Sequence, residues 1–580
     1  MISWAYVFAP PGVDLGKVEE KLKRQYGNHI DIQDIEEELK DRQETKDALR
    51  DVGAPYQSFR MYEVTWYLPR SKVRALWRQA ASQCLGKLER SSKTIRVLCG
   101  HLLYYCGQRS EFYSPVDFNL LISRSDLKPS QIVLLIDDVY DMYYRLTRKD
   151  ELFDHAERIP VYLERLCYEQ GINIEELSPE QLLSYCMGWE LRTITHLLSW
   201  GHFETIFIEN LSAQVGLGAK FLVFGVKQLT EALIHFLGDL DFQTVYVSHP
   251  ISEARRKKEL GGHWPEFIYQ VNQLQKDAFD SKVVVVMPTA IDELRFSLRH
   301  IREHHPPQRT GALEERWPLI DDEDNLLYCR PDSALDSNYA SLLMPKYWDF
   351  SSQKFVEYLQ EDRSAPIIDS LLGVLVGEIE FQIATRDHVL VTHTDGLLVF
   401  RPLFSGRFTR GVSAEIDHWL SINQSGKEKR AAFVHWEEDI RLVLQRQGRK
   451  YVTRSVANEV INIIQNKYQI SKGRIIKALI SQEPVGSIDS ILSAGAIHPA
   501  TLKHIRDDMP KISREAKVNL LRGYLTGMVD IKPGLAGVWV LENYEAFKKA
   551  LPQIANFLRD GSPVGNHWDE KINDLFPDFL

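Results

Sequence analysis

Residues 386–419 read RDHVLVTHTDGLLVFRPLFSGRFTRGVSAEIDHW, and their pattern predicts a strand, a loop and a helix in that order. The apolar run Leu397–Phe400 suits a buried strand of a parallel sheet. Apolar residues recur at helical spacing from Val412 to Trp419, so we expect a helix that begins near Gly411. Such a strand–loop–helix unit is typical of an open α/β sheet.

Two acidic side chains flank this unit. Asp395 precedes the strand, and Glu415 is expected in the first turn of the helix, beside the carboxyl end of the strand. Open α/β sheets bind ligands in the crevice at the carboxyl ends of their strands. Two carboxylates that face one crevice are what glycosidic bond cleavage requires. The alternative for Glu415 is a solvated carboxylate that stabilises a helix N-terminus through the helix dipole.

Three stretches carry a resemblance to a known family: TDGLLV, GVSAEI, and TVYVSHPISEARR at residues 244–256. They resemble the nucleoside deoxyribosyltransferase superfamily over roughly residues 243–440. The resemblance implies that Glu415 attacks the anomeric carbon while Asp395 assists departure of the base. Tyr246 falls where that family often has an aromatic residue near the nucleophile.

One position departs from the transferase pattern. Thr409 stands six residues before the glutamate, where transferases usually carry an aspartate. A hydroxyl there resembles the nucleotide N-hydrolase branch, in which it contacts a 5′-phosphate. The resemblance therefore implies a phosphorylated substrate.

Two arginines follow the strand predicted at Thr244–Val247. Arg255 and Arg256 are good partners for a phosphate, because the guanidinium fork matches its oxygens. A solvated helix face shared with Lys257 and Lys258 is an equal alternative. The predicted substrate-binding residues are His249, Arg255, Thr409, Gly411 and Ser413.

The first third of the chain opens with a predicted strand, Ile2–Phe8, then APPGVDLGKV and a helix. This layout is that of a phosphate-binding loop, which needs inward N–H groups, a lysine, and a hydroxyl for magnesium. Pro11 replaces the first glycine and offers no N–H, and Val18 cannot ligate Mg²⁺. We therefore expect a poor phosphoryl-transfer catalyst.

Residues 17–51 are predicted to be a charged helical stretch, and several strands are predicted after it. One strand ends in Gly-His and the next in paired acids, an order that resembles the P-loop nucleoside monophosphate kinase fold. The paired acids Asp137 and Asp138 are either metal ligands or a helix N-cap. Further strands are predicted at Thr94–Leu103, Gln131–Asp138, Ile206–Ile208 and Lys220–Val226. The predicted nucleotide-binding residues, with Mg²⁺ accompanying the nucleotide, are Gly12, Gly16, Lys17, Asp137 and Asp138.

The other segments carry weaker signals. Residues 300–350 are polar and rich in turn signals, and we interpret them as an insertion that forms a lid over the crevice. Arg386 and Asp387 match a pair that precedes the strand-end aspartate in the resembled family and braces it. The last part of the chain is helical with a short strand at 537–542. It suits a winged-helix-like module that binds nucleic acid, a partner protein or a second copy of this chain in an oligomer.

Composition bounds the protein class. A chain of 580 residues with a net charge of −10 predicts several domains and opposes broad non-specific nucleic-acid binding. The six cysteines lack a CxxC pair, which predicts reduced thiols in a cytosolic protein. No apolar run is long enough to span a bilayer and no signal peptide is recognisable, so we expect a cytoplasmic protein without a membrane partner.

Together these patterns predict an α/β protein with two parallel-sheet Rossmann-like domains followed by a helical domain. The predicted boundaries are 1–240 for a degenerate P-loop kinase-like domain, 241–442 for a deoxyribosyltransferase-like domain, and 443–580 for the helical domain. The predicted function is an N-glycosidase acting on a (deoxy)nucleotide or NAD without a required cofactor. By analogy with its superfamily it would be an anti-phage effector and a homo-oligomer. The alternatives are a catalytically inactive nucleotide sensor or scaffold, and a nucleotide kinase, which Val18 disfavours.

Overall fold

The computed structural model describes a defined part of the chain. The described residues are 3–13, 15–53, 64, 67–106, 111–117, 120–121, 129–137, 139, 142, 155–214, 219–226, 228, 230–238, 241–251, 264–288, 318–320, 326–328, 346–358, 381–404, 406–426, 428–447, 449–471, 499–527 and 534–562.

Sixteen strands are found among the described residues. In chain order they are β1 (Ser3–Phe8), β2 (Ile30–Asp34), β3 (Ile95–Gly100), β4 (Tyr104–Cys106), β5 (Glu111–Tyr113), β6 (Gln131–Ile136), β7 (Lys220–Gly225), β8 (Gln243–Ser248), β9 (Val283–Val286), β10 (Pro318–Ile320), β11 (Leu326–Tyr328), β12 (Lys346–Asp349), β13 (Lys354–Glu357), β14 (Gly396–Phe400), β15 (Arg430–Trp436) and β16 (Ala536–Leu541).

The helices of the described part alternate with these strands. They are α1 (Leu15–Tyr26), α2 (Ile35–Asp41), α3 (Gln43–Asp51), α4 (Arg70–Glu89), α5 (His155–Gln170), α6 (Pro179–Gln214), α7 (Thr230–Gly238), α8 (Trp264–Phe279), α9 (Arg410–Gln424), α10 (Glu437–Gln447), α11 (Arg449–Tyr468), α12 (Pro499–Thr526) and α13 (Tyr544–Asp560). Residues 381–393 are also helical, and a short 3₁₀ helix covers Ile174–Glu176.

Two five-stranded sheets organise the fold. The first has the order β2-β3-β1-β6-β7, and all of its registers are parallel. The second has the order β16-β15-β14-β8-β9 and is also a parallel-stranded sheet. Strands such as β6 and β14 are buried along their whole length, as expected for parallel strands covered by helices. The predicted α/β class is confirmed at this level.

The chain forms two compact units. The first unit comprises Met1–Tyr246 and Ile268–Thr394, and the second comprises Val247–Phe267 and Asp395–Leu580. In the second unit an aromatic cluster lies against β14, with the rings of Trp436 and Phe547 each 5.4 Å from that of Phe400. Edge-to-face pairs of this kind add to the stability that their buried area provides.

The prediction that residues 443–580 form a separate helical domain is wrong. β16 pairs in parallel with β15, with Val538 opposite Phe433, so this strand belongs to the second sheet. α13 then packs on that sheet, capped by Asn543 at its start and by the left-handed Gly561 at its end. The predicted strand at 537–542 exists, but its parallel pairing excludes the hairpin of a winged helix.

Two predictions in the first third are also wrong. Residues 17–51 are not one helical stretch, because β2 lies between α1 and α2 and pairs with β3. The predicted strand Ile206–Ile208 lies inside the long helix α6. A run of three apolar residues does not distinguish a strand from a buried turn of helix.

The predicted lid falls mainly outside the described residues. Its last residues are described, and Trp348 packs into a cluster of the first unit with Leu163 on α5 and Leu182 on the following helix α6. The Tyr358 hydroxyl, soon after this segment, donates to Glu180 at 2.7 Å. This end of the segment is therefore a packed part of the first unit.

Two compositional predictions are met in the described part. Cys84, Cys99, Cys167 and Cys186 are buried and form no disulfide within the described part of the chain. Among the described residues, no helix has the length and hydropathy to cross a bilayer.

Candidate functional site

The loop after β14 carries the chain to the helix that bears the predicted nucleophile. β14 is buried along its length, and Thr409 ends the loop as the N-cap of α9, where its side-chain oxygen accepts the Val412 N–H at 3.3 Å. A threonine cap satisfies one of the unpaired N–H groups at a helix start. The predicted strand, loop and helix are therefore confirmed.

Glu415 lies on the buried face of α9. Its position is the sixth residue of the helix, so the prediction that placed it in the first turn is wrong by about one turn. The side chain is 8% exposed, and the other buried residues of the helix are apolar: Val412, Ile416, Trp419 and Ile422. Burying a carboxylate is costly, and buried ionisable groups are enriched at functional sites.

The first turn of α9 is open. Gly411 is exposed, and a methyl group built on its Cα would meet no atom of the described residues within 4 Å apart from its chain neighbours and the backbone of its own helix. Neither its backbone conformation nor its packing therefore requires a glycine. Ser413, half-buried, follows two residues later.

The end of β8 contributes two further polar residues of the second unit. Ser248 is fully buried, and its Oγ has no hydrogen-bond partner among the described residues. His249 is 3% exposed, and its Nδ1 lies 3.1 Å from the Val247 carbonyl, so that nitrogen carries the proton. β8 neighbours β14 in the sheet order, which places this strand end beside the loop that leads to α9.

Asp395 is placed differently. It is exposed and immediately precedes β14, at the amino end of the strand. Glu415 comes after the carboxyl end, and five residues of strand span about 17 Å. The structure therefore does not place Asp395 at the edge where α9 begins, and its role as a partner of Glu415 stays a prediction that this placement opposes.

Two other predicted residues of this region have different outcomes. Tyr246 is fully buried within β8, where its side chain belongs to the interior of the sheet. Arg255 lies outside the described residues.

The predicted nucleotide site of the first unit is only partly described. Gly12 has a left-handed φ of 90°, Gly16 is exposed at the start of α1, and Asp137 is buried after β6. Asp138 and the side chain of Lys17 lie outside the described part.

A cavity of about 60 Å³ lies at this edge of the first sheet. Pro10, Asp137, residues of α6 and residues of helix 381–393, including Arg386, line it. A volume of this size holds a few water molecules, whereas pockets for drug-sized ligands occupy about 300–1,000 Å³. The cavity as formed is therefore too small for a nucleotide.

A polar network that the sequence patterns did not reveal lies at the same edge. The Tyr104 hydroxyl donates to Glu36 at 2.5 Å, and His101 lies between Glu36, at 3.3 Å, and the carbonyl of Ala9. Glu204 on α6 accepts the Leu102 N–H at 2.9 Å. Burial raises the pKa of Glu36 and raises that of Glu204 well above its usual value. The Gly-His signal identified His101, but its partners are distant in sequence.

Arg386 and Asp387 form the pair that the sequence suggested. Arg386 Nε lies 3.5 Å from Asp387 Oδ1, and both side chains are largely buried in the first unit. Burial raises the pKa of Asp387 to about 6, while the neighbouring Arg386 acts in the opposite direction. The proposed bracing of Asp395 by this pair stays a prediction.

Among the described residues, no group of three or more His, Cys, Asp or Glu side chains is arranged to hold a metal ion. No protein-family model matches the chain, and no curated protein matches it.

Proposed function

We propose that the second unit cleaves the N-glycosidic bond of a nucleotide, with Glu415 as the nucleophile. The observation that carries the proposal is the burial of this one carboxylate on the otherwise apolar inner face of α9. Covalent catalysis at an anomeric carbon needs a carboxylate held out of bulk water beside the sugar. The resemblance of TDGLLV and GVSAEI to the deoxyribosyltransferase superfamily supports the same residue.

The surroundings of Glu415 suit a nucleotide. The open space at Gly411 leaves the first turn of α9 accessible, and N–H groups at a helix start attract phosphate. Ser248, at the end of the neighbouring strand β8, offers a buried hydroxyl that has no hydrogen-bond partner among the described residues. Thr409 uses an oxygen lone pair in the cap and keeps its proton for a phosphate oxygen.

The reaction proceeds in two steps. A carboxylate oxygen of Glu415 forms a bond to C1′ as the C1′–N bond breaks, and the base leaves with the bonding electrons and takes up a proton. Water then attacks C1′ of the glycosyl ester, which releases the sugar phosphate and restores the carboxylate. Asp395 was expected to assist the base. Its exposed position at the other end of β14 leads us to expect that assistance to be small.

The decisive experiment is release of free base, followed by chromatography, from a panel of dNMPs, dNTPs and NAD. Glu415→Gln should lower the rate at least about 10³-fold, because the amide is not a nucleophile. Asp417→Asn removes an exposed carboxylate from the same helix and is the matched control. Asp395→Asn should reduce the rate less than tenfold. Turnover that survives Glu415→Gln would rule out the proposed nucleophile.

The same panel separates the competing functions. Nucleotide binding without base release would indicate the sensor or scaffold, and phosphate transfer would indicate the kinase. Action in anti-phage defence and assembly as a homo-oligomer stay predictions by analogy, and a cytoplasmic location stays a prediction from composition.

A further inference from the structure

Arg401, the first residue after β14, combines features that are rarely found together. It has a left-handed backbone with a φ of 46°, although it is not a glycine. Its side chain is 4% exposed, and its guanidinium makes a bidentate ion pair with Asp439 on α10, with both N–O distances at 2.9 Å. The pKa of Asp439 is raised by burial, against the effect of Arg401.

Aromatic rings enclose the same guanidinium. Its central carbon lies 4.7 Å from the ring centre of Phe404, 5.0 Å from that of Trp436 and 5.6 Å from that of Phe267. Phe404 in turn stacks on Phe267 with ring centres 4.4 Å apart. Arg401 is therefore held in one orientation by charge, hydrogen bonds and stacking.

Stability alone does not account for this arrangement. A buried ion pair is often no more stable than a well-packed apolar pair of similar volume, because desolvation offsets the attraction. A left-handed backbone at a residue other than glycine adds strain, and such strain is concentrated at functional sites.

The loop that Arg401 begins is fixed by backbone hydrogen bonds and by two contacts with α10. The contacts with α10 are the ion pair between Arg401 and Asp439 and the close approach of Arg446 to Gly406. The Arg401 N–H donates to Val434 at 2.8 Å, and the Arg401 carbonyl accepts the Phe404 N–H at 3.0 Å, which forms a turn. Further on, Gly406 has a φ of 84°, and a methyl group on it would lie 2.5 Å from Nη1 of Arg446. Asp439 and Arg446 are seven residues apart on α10, so they share one face of that helix.

We infer that Arg401 is a positioning residue that, together with Arg446 against Gly406, fixes the loop 401–409 and so holds Glu415 in place. The loop leads through the cap at Thr409 directly into α9, which carries Glu415 six residues later. A displacement of about 1 Å in reacting groups lowers a rate about 10²-fold. The consequence for catalysis rests on the proposed function, whereas the positioning of the loop does not.

The test replaces the charged pair by an apolar pair. The double variant Arg401→Met/Asp439→Leu keeps buried volume and removes both charges, so its melting temperature should stay within a few degrees of that of the wild-type protein. Amide hydrogen exchange of residues 402–413 should accelerate at least tenfold, with strands β15 and β16 unchanged. The kcat for base release should fall about 10²-fold while KM changes less than threefold.

Gly406→Ala tests the second point without touching the ion pair. It should accelerate exchange over the same residues and lower kcat in the same way, because alanine is strained at a φ of 84° and its methyl group also pushes the Arg446 guanidinium away from the loop. Arg441→Gln, on the exposed side of α10, is the control and should change neither quantity.

Each outcome decides between the alternatives. Unchanged exchange of 402–413 in a folded double variant, or an unchanged kcat, would overturn the inference. If the double variant fails to fold, Gly406→Ala alone decides by the same two criteria. If the wild-type protein releases no base, the proposed function fails, and hydrogen exchange by itself then tests whether Arg401 positions the loop.

Discussion

The carboxyl edges of the two parallel sheets differ in how their polar groups are satisfied. In the first unit several groups engage one another: Tyr104 donates to Glu36, His101 bridges Glu36 and Ala9, and Glu204 accepts a backbone N–H with one oxygen, while its buried Oε2 has no partner among the described residues. In the second unit, Ser248 keeps a buried hydroxyl without a partner among the described residues, and the space that a methyl group on Gly411 would occupy is open.

Among the described residues, the polar groups of the first edge form the more connected network. Buried polar groups that engage one another in this way stabilise a fixed structure. The first edge, with its small cavity and its Pro11 and Val18, therefore suits a structural role. The binding site that we propose lies at the second edge, and the two units should also respond differently to pH.

The largest expected effect concerns His435 in the second unit. Burial lowers its pKa to about 3 from 6.5, and its Nε2–H donates to the Leu525 carbonyl at 2.7 Å. The unfolded chain binds a proton on His435 more tightly than the folded chain does. The stability that depends on neutral His435 is therefore fully present above pH 6.5 and is lost as the pH falls toward 3. The difference of 3.5 pKa units corresponds to about 5 kcal/mol at most.

His435→Gln tests this contribution. The glutamine amide keeps a donor for Leu525 but does not titrate, so the free energy of unfolding of the second unit should depend much less on pH between 6.5 and 3. Urea unfolding at several pH values measures it. His504→Gln removes an exposed histidine of α12 and should leave the wild-type slope intact. A His435→Gln variant with the same acid sensitivity as wild type would contradict the prediction.

A smaller effect of opposite sign is expected in the first unit. The pKa of Asp387 is raised from 3.8 to about 6 by burial, so the folded state binds the proton more tightly. The stabilisation that protonated Asp387 gives the folded state is fully present below pH 3.8 and is lost as the pH rises to about 6. The difference of 2.2 pKa units corresponds to about 3 kcal/mol.

Asp387→Asn removes the titrating carboxyl group, so the stability of the first unit should no longer fall as the pH rises. The variant should show little change in the free energy of unfolding of the first unit between pH 4 and 6, where the wild-type protein becomes less stable. Urea unfolding with a probe in the first unit measures the difference. A wild-type protein whose first unit gains stability over this interval would show that the sign is wrong.

The smallest effect is expected at Thr409. Thr409→Val removes the cap of α9 and should cost about 1 kcal/mol, while Thr409→Ser should cost little. If the hydroxyl also contacts a 5′-phosphate, the valine variant should raise KM for a nucleotide more than for the matching nucleoside. Thermal unfolding and the two KM values separate the cap from the phosphate contact; an equal rise in both would assign Thr409 to the cap alone.

Local patterns predicted the strand–loop–helix around β14 because its signals lie within a few residues of one another. The apolar run of the strand and the helical spacing from Val412 to Trp419 require no knowledge of distant partners. β2 was missed for the opposite reason. Its five residues lie in a charged stretch, and they become a strand because they pair with β3, with Ile32 opposite Val97.

The same distinction applies to the candidate site. Glu415 was identified from its place in the predicted helix and from the resemblance of GVSAEI, whereas its burial was shown only by the structure. The expectation for Asp395 failed to account for the direction of β14, since a residue before a parallel strand lies at the opposite edge from the helix after it. The polar network around Glu36 joins α2, the end of β3 and α6, so no local pattern contains it.

The sequence by itself determined that this chain forms buried parallel strands with helices between them, and that the helix after β14 carries Glu415. Apolar periodicity is a local property, and it suffices for such conclusions. Only the tertiary structure decided that β16 joins the second sheet, that Asp395 lies away from the start of α9, and that Arg401 is paired with Asp439. These depend on strand order and on buried contacts between residues far apart in the chain, which hydrophobic burial and electrostatics select only once the whole sheet has formed.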